Sequence, residues 1–239
     1  MTPQETAIYT RFAGIYDDAY HFVDYAGGAA FVRDVIRARR PEAGSLLEIA
    51  CGTGCYLKEL AANFEVEGLD LSPEMLAQAR MRVPRVPLHH GDMVDFRLRR
   101  QFDVVCCLFR AIAYVGTADR LSRAIASMAR HLSPGGLLLI EPFFTPETYW
   151  VNRVTLNQHR GDDSALAWMY VSEKTSTGAR LRIHCLVGTP AGVEHFVEDH
   201  DLGLFTPDDF ERAFADAGLR LTFEPTSPGG TGLYIGEPR

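Results

Sequence analysis

The sequence predicts an α/β protein built on a seven-stranded, mostly parallel, doubly wound sheet that carries an antiparallel β insert. Three observations predict it. Between Ser45 and Phe144, continuous apolar runs alternate with helical patterns, the signature of strands covered on both faces. From Thr145 to Asp201 no long helical pattern occurs, and strand-like stretches follow one another. The chain then closes on one helix and two strands joined by "TSPGG", a loop short enough for a hairpin.

Taken in order, "SLLEIA" reads as a buried strand and "CYLKELAANF" as the helix after it. "VEGLDL" is the next strand. The helix "PEMLAQARMRV" follows, with Ser72 as its N-cap and Pro73 at its first position. "PLHH" is a short strand and "FDVVCCLF" a long buried one. "ADRLSRAIASMARHL" places Leu121, Ile125, Met128 and Leu132 on one helical face. "SPGG" is read as stopping that helix and "LLLIEPFF" as the strand beyond it. In the insert, "ALAWMYVSEK", "ARLRIHCLVG" and "VEHFVEDHDLG" read as three strands. "TPDDFERAFADAG" is a capped helix, and "LRLTFEP" with "TGLYIGEP" forms the closing pair. The expected organisation is N-terminal helices and an α/β core over residues 1–144, the insert as a lid over 145–203, and a return to the core over 204–239.

Composition narrows the function. With 46% hydrophobic and 23% charged residues in 239, the chain supports one full core with a lid. No apolar run reaches the length of about 18 residues that spans a bilayer. "MTPQETAIYTRF" lacks a basic-then-apolar leader pattern, so the protein reads as cytoplasmic. The formal charge of −7 disfavours broad nucleic-acid binding. The basic clusters Arg37–Arg40 and Arg97–Arg100 read as solvated faces. Five cysteines form no even framework, and no Cys or His pair has metal-ligand spacing.

Ligands of such sheets bind at the carboxyl ends of the strands. That rule gathers Gly52, Asp70, His90 to Met93, Phe109 to Tyr114 and Glu141 to Phe144 around one crevice. The loop "ACGTGCYL" is poorly made for phosphate. The pattern G-x-G-x-x-G is incomplete, with Leu57 at its last position, and no Gly-Lys-Ser/Thr follows. S-adenosylmethionine carries no phosphate and fits better. Ala50, Gly52 and Gly54 let its methionine end lie against the backbone. Asp70 ends the second strand, where a carboxylate takes ribose hydroxyls. Asp92, after Gly91, follows the third, where a carboxylate takes the adenine amino group. Leu71, Met75 and Met93 are placed to cover the adenine.

Through "LLEIACGTG", "VEGLDLSPEML", "HHGDM" and "FDVVCCLF" the chain resembles the class I S-adenosylmethionine-dependent methyltransferases. Through "FAGIYDDAY", "VDYAGGA", "ARHLSPGGLLLIEPFFTPETY", "HFVEDHDLGLFTPDDFERAF" and "SPGGTGLYIG" it resembles the nucleotide-linked amino-sugar N-methyltransferases of the desosamine and mycaminose type, over nearly its whole length. That resemblance implies N-methylation of an amino deoxysugar in antibiotic biosynthesis. It implies a small, anionic acceptor, with no nucleic acid, membrane or metal, and a homodimer formed through the insert. It also implies Tyr114 as the partner that orients the acceptor amine.

Tyr16 and Tyr20, one turn apart, share a helix face; Tyr16 is a catalytic candidate and Tyr20 a substrate contact. Tyr25, Leu108 and Phe109 are expected at the cofactor. Phe143, Phe144 and Trp150 are expected to wall the acceptor pocket, and Arg160, Arg180 and His184 match family positions in the insert. Two departures stand out. The family has two serines where "FRAIAY" places Arg110 and Ala111, and an arginine in its C-terminal hairpin where this chain has Thr231. Arg110 is therefore an expected anion contact. A non-sugar anionic metabolite methylated on nitrogen or oxygen, with His89 and His90 as candidate bases, and a non-catalytic cofactor-binding protein remain the alternatives at this point.

Overall fold

Apolar runs become the middle of a sheet, and the capped helical patterns become its cover. The computed structural model describes residues 7–10 and 12–239. Met1–Thr6, the opening of the segment read above for a leader pattern, lie outside them, as does Arg11. Short 3-10 turns at Ala7–Tyr9 and Ala13–Ile15 lead into α1 (Tyr16–Ala19) and α2 (Tyr25–Arg39). The core then runs β1 (Ser45–Ile49), α3 (Cys55–Leu60), β2 (Glu65–Asp70), α4 (Pro73–Arg82), β3 (Leu88–His90), β4 (Phe102–Cys107), α5 (Ala118–Ala129) and β5 (Leu132–Ile140). A 3-10 turn, Ala111–Val115, bridges β4 and α5. The insert holds β6 (Val154–Arg160), β7 (Ala165–Lys174), β8 (Ala179–Thr189) and β9 (Gly192–Leu202). Then come α6 (Pro207–Asp216), β10 (Leu219–Glu224) and β11 (Leu233–Pro238).

The main sheet has seven strands in the order β10-β11-β5-β4-β1-β2-β3. Strands β1 to β5 pair in parallel, and β11 enters antiparallel between β5 and β10. Strand β1 lies between β2 and β4, so the strand order reverses there and opens a crevice at the carboxyl ends. One sheet face packs on α5 and α6 through Leu121, Ile125, Met128, Phe210 and Phe214. The other packs on α2, α3 and α4 through Ile36, Leu57 and Leu76. Caps fall where the sequence puts them. Ser72 Oγ accepts from Met75 N at 3.0 Å, and Thr206 with Asp209 forms a capping box.

The structure corrects three expectations. "SPGG" does not precede β5 but lies inside it, where the pairing with β4 shifts register between Phe102 and Val104. The same strand ends at Ile140, so "EPFF" is loop. The insert has four strands rather than three. The missed one, β6, is an edge strand whose inward residues are Thr155, Asn157 and His159, so it shows no apolar phase to read.

The basic clusters include clamps rather than a purely solvated face. Arg37 donates to the carbonyls of Pro41 and Ala43 at 2.5 and 2.8 Å. Arg100 reaches Glu67 at 2.6 Å, and Arg40 reaches Asp103 at 2.9 Å. Asp103 is a hub at the amino end of the sheet. It accepts from Gly44 N, Ser45 N, Ser45 Oγ and Ser133 Oγ at 2.9 to 3.0 Å. Partial burial alone would raise its carboxyl, but these donors outweigh it and hold the group down at about 2. A depressed folded-state value contributes stability that is present above the unfolded value of about 3.9 and is lost as pH falls toward about 2. Urea unfolding at stepped pH is expected to show this acid-side loss in the wild type and a flatter profile in Asp103→Asn.

Candidate active site

The crevice is built from loops that leave the sheet in strained turns. Ala50, Gly52 and Gly54 have φ of 56°, 55° and 79°, and Phe109 and Arg110 have 52° and 60°. For alanine, phenylalanine and arginine this region is costly, and such residues cluster at functional sites. The strain is held by Asp70 at the end of β2. Its Oδ2 accepts from Gly52 N and its Oδ1 from Ser72 N, both at 2.8 Å. Burial nevertheless raises the Asp70 carboxyl above the ordinary carboxylate value.

These residues fit S-adenosylmethionine. The Asp70 carboxylate has about four lone-pair sites and takes backbone donors from Gly52, Leu71 and Ser72, which leaves acceptor capacity for a ribose hydroxyl. Leu71, next in the chain, is 43% exposed, an apolar surface for a purine. A Cβ at Gly52 would make only ordinary contact with Met75 at 3.4 Å; the backbone conformation, φ 55°, is what favours glycine there. Under the loop, Glu48 Oε2 is buried without a hydrogen-bond partner, and burial pushes that carboxyl well up. Asp92, after Gly91, turns one oxygen to Val94 N at 2.9 Å and the other toward Arg120 at 3.4 Å. Met93 packs partly buried against the core. Met75 and Leu108 are buried, at 2% and 4% exposure; Met75 packs with Tyr16 of the N-terminal segment, and Leu108 packs into the core.

Over the crevice lies an aromatic roof from the N-terminal segment. Tyr16 stacks near Tyr20 and Tyr9, with centroids 4.7 and 5.8 Å apart. Tyr20 meets Phe109 edge-on at 5.4 Å, and Tyr25 approaches Phe109 and Tyr56 at 6.1 and 5.2 Å. Asp17 clamps this segment to the core. It accepts from Thr53 Oγ1 at 2.7 Å and pairs with Arg82. Tyr114, 42% exposed, stands at the end of the β4 loop with its hydroxyl 2.6 Å from that of Tyr9 and 2.8 Å from His200 Nδ1. Tyr9, His200 and Glu198 escaped the sequence reading. The available signal was phase: Glu198 and His200 share a strand face with Phe196, and ionisable side chains there need partners.

Other candidates fall elsewhere. Phe143 and Phe144 line a cavity of about 530 Å³ with Thr145, Phe205, Phe210 and Tyr234, and Trp150 packs on Phe144 at 4.4 Å. Arg160, Arg180 and His184 do not reach the crevice. The register places them on the face of the insert opposite Glu198 and His200. Arg180 is held by both oxygens of Asp201 at 2.7 and 3.1 Å, and His184 stacks on His195. Arg110 does not stand free for an anion. Its guanidinium donates to the Gly229 carbonyl and lies 5.8 Å over Phe144. Its charge also acts on Glu141, which accepts from Phe109 N at 2.8 Å. His89 and His90 are engaged with Glu67 and the Leu71 carbonyl, at 2.7 and 2.9 Å. No group of ligating side chains among the described residues is arranged to hold a metal ion.

Residues 46–136 match the methyltransferase domain family. Fold, loop and match together define an S-adenosylmethionine-dependent methyltransferase. The chain is 40% identical over 230 residues to dTDP-3-amino-3,4,6-trideoxy-alpha-D-glucopyranose N,N-dimethyltransferase of Streptomyces venezuelae, covering 95% of this chain and 97% of that one. It is 42% identical over 231 residues to dTDP-4-amino-2,3,4,6-tetradeoxy-D-glucose N,N-dimethyltransferase of Saccharopolyspora spinosa, covering 94% and 91%. It therefore belongs to the family of the dTDP-amino-sugar N,N-dimethyltransferases. The crystal structure of Streptomyces venezuelae DesVI superposes with a TM-score of 0.91 at 40% identity, covering 95% of this chain and 98% of that one. S-adenosylmethionine-bound CalS10, an amino pentose methyltransferase from Micromonospora echinaspora involved in calicheamicin biosynthesis, gives 0.86 at 38%, covering 94% and 97%.

Asp70→Ala is expected to weaken S-adenosylmethionine binding at least about 100-fold in calorimetric titration, since it removes both the ribose acceptor and the brace on the loop. Binding within about threefold of wild type would refute that assignment.

Proposed function

We propose that this enzyme methylates the amino nitrogen of a nucleotide-linked amino deoxysugar. The observation that carries this reading is the Tyr114 hydroxyl, a neutral acceptor set among aromatic rings at the mouth of the crevice. When bound, S-adenosylmethionine supplies a methyl group on a good leaving group. An amine needs only to be neutral, aligned and dry in order to attack. Although the ring is partly exposed, the Tyr114 hydroxyl is desolvated between Tyr9 and His200, which raises it further above the ordinary phenol value, so it stays protonated and works as an orienting partner rather than as a strong base. The aromatic roof of Tyr16, Tyr20 and Phe109 excludes water and disfavours an ammonium without a counter-ion.

In this reading Ala50, Gly52, Gly54, Asp70, Leu71 and Asp92 hold the cofactor, and Tyr25 closes over its methionine end. Residues 1–144 form the binding core, 145–203 the lid and 204–239 the return to the core. Phe143, Phe144 and Trp150 belong to the acceptor side, where the cavity beside the C-terminal hairpin has room for the remote part of a nucleotide sugar. The five cysteines are all free thiols, which supports a reducing cytoplasmic setting. No helix among the described residues is long and apolar enough to cross a membrane.

The outer face of the insert is proposed to pair with a second copy. It exposes Leu156, Met169, Leu186, Val193 and Val197 at 44% to 75%. The register runs Leu156, Met169, His184 and Val197 side by side across the four strands, an exposed and mostly apolar row of the kind that marks an interface.

Two measurements test these readings. Mass spectrometry of a nucleotide-linked amino sugar incubated with enzyme and S-adenosylmethionine is expected to show a gain of one or two methyls, with Tyr114→Phe lowering kcat by about 10- to 100-fold. Modification of hydroxyl acceptors alone would refute the amine assignment. In sedimentation velocity the wild type is expected to run as a dimer and Met169→Glu as a monomer; a monomeric wild type would sink the interface.

A further inference from the structure

Strand β9 buries two ionisable side chains that the reading above leaves without a task. Phe196, Glu198 and His200 share its inward face. Phe196 stacks on Phe12 at 4.1 Å, as a core residue should. Glu198 and His200 are each 3% exposed, where an unsatisfied polar group would be costly. Their partners form one line. Glu198 Oε1 accepts from Ile8 N. Glu198 Oε2 lies 3.0 Å from His200 Nε2. His200 Nδ1 lies 2.8 Å from the Tyr114 hydroxyl, which lies 2.6 Å from that of Tyr9.

The donor and acceptor inventory gives this line a direction. An ionised carboxylate only accepts, so Nε2 of His200 carries the hydrogen and donates it to Glu198. Nδ1 of the neutral ring is then an acceptor and takes the Tyr114 hydroxyl hydrogen. The Tyr114 oxygen accepts from Tyr9 and keeps a second lone pair, available to an amine bound in the crevice. A carboxylate that fixes the tautomer of a histidine, which in turn fixes a hydroxyl, is a known way to orient a proton acceptor.

We propose that Glu198 and His200 are positioning residues for methyl transfer: they hold the Tyr114 hydroxyl as an acceptor facing the substrate amine and take up the proton that N-methylation releases. The inference rests on the amine reading given above. The amine nitrogen bonds to the methyl carbon as the carbon–sulfur bond breaks, and the electron pair of that bond leaves with sulfur. The nitrogen is left cationic with an N–H. That proton passes to the Tyr114 oxygen while the Tyr114 hydroxyl proton passes to His200 Nδ1. Tyrosine is unchanged, and the imidazolium formed is balanced by Glu198 until it returns the proton to solvent.

The test has a spectroscopic arm and a kinetic arm. In the cofactor-free protein, nitrogen-15 NMR of His200 is expected to show the Nε2–H tautomer. In Glu198→Gln the amide oxygen stays with Ile8 N, the amide NH₂ faces the ring, and the tautomer is expected to switch to Nδ1–H. In His200→Asn the side-chain oxygen can still accept from Tyr114 but cannot hold the released proton. Both variants are expected to lose kcat by about 10- to 100-fold while the S-adenosylmethionine Kd stays within about twofold. In a Tyr114→Phe background, His200→Asn is expected to cost nothing further, because it acts only through that hydroxyl. An Nδ1–H tautomer in the wild type, kcat within twofold in both variants, or an additive loss in the double variant overturns the proposal. If His200→Asn does not fold, the wild-type tautomer and Glu198→Gln decide it. The kinetic arm uses whichever amine the wild type turns over, so failure on amino-sugar nucleotides counts against the acceptor reading alone.

Discussion

The site depends on one carboxylate. Asp70 accepts from Gly52 N and from Ser72 N, and so ties the loop after β1 to the loop after β2. Ser72 passes the constraint on: its hydroxyl donates to the Tyr9 carbonyl at 2.5 Å, fixing the N-terminal segment over the crevice. Tyr9 then meets Tyr114, and Tyr114 meets the insert through His200. Five separate parts of the chain are thus set relative to one another by a series that starts at one strand end. This also explains why backbone strain at Ala50 and at Phe109–Arg110 persists. The first turn is held by Asp70 accepting from Gly52 N and the second by Glu141 accepting from Phe109 N.

Much of this was legible because it depends on local rules. Strand ends, caps and the spacing of Gly52, Gly54, Asp70 and Asp92 follow from pattern and turn chemistry, and the core sheet and hairpin formed as that pattern requires. What the pattern could not show depends on contacts distant in the sequence. Strand β6 is invisible because an edge strand with polar inward residues has no apolar phase. Arg160, Arg180 and His184 were plausible by residue type, yet pleat geometry turns them to the other face of the insert, and only register decides that. Leu108 sits at the right loop but packs into the core, and Met75 is buried against the N-terminal segment. Tyr9 belongs to a segment with too little periodicity to place.

Arg110 shows how one substitution can be structural while looking functional. At a strand end beside a cofactor loop, an arginine suggests an anion. Here its charge meets the Gly229 carbonyl, the Phe144 ring and the field of Glu141. Glu141 is itself pushed up by burial, and Arg110 is the charge that offsets this. The guanidinium therefore joins the β4 loop to the C-terminal hairpin. Thr231 Oγ1, in that hairpin, is buried without a partner. The two positions at which the sequence reading expects departures from the family pattern are thus spatially linked: Arg110 reaches the hairpin that carries Thr231.

The insert divides its work between its two faces, and the period of two is what makes this possible. Alternate residues of β9 point to opposite sides. Phe196, Glu198 and His200 therefore face the N-terminal segment and Tyr114, while Val193, Val197 and Asp199 stay on the other side. On that outer side the charged pairs Arg180–Asp201 and Arg182–Asp199 lie at one end of the sheet, with Val154 and Val171 in the same rung as Arg182. A one-residue slip of β9 against β8 would exchange the faces, placing Asp199 and Asp201 against Tyr114 and exposing His200. The stacking of Phe196 on Phe12 and the bond from Ile8 N to Glu198 resist that slip. The same contacts that seat the N-terminal roof therefore fix the register on which the proton path depends.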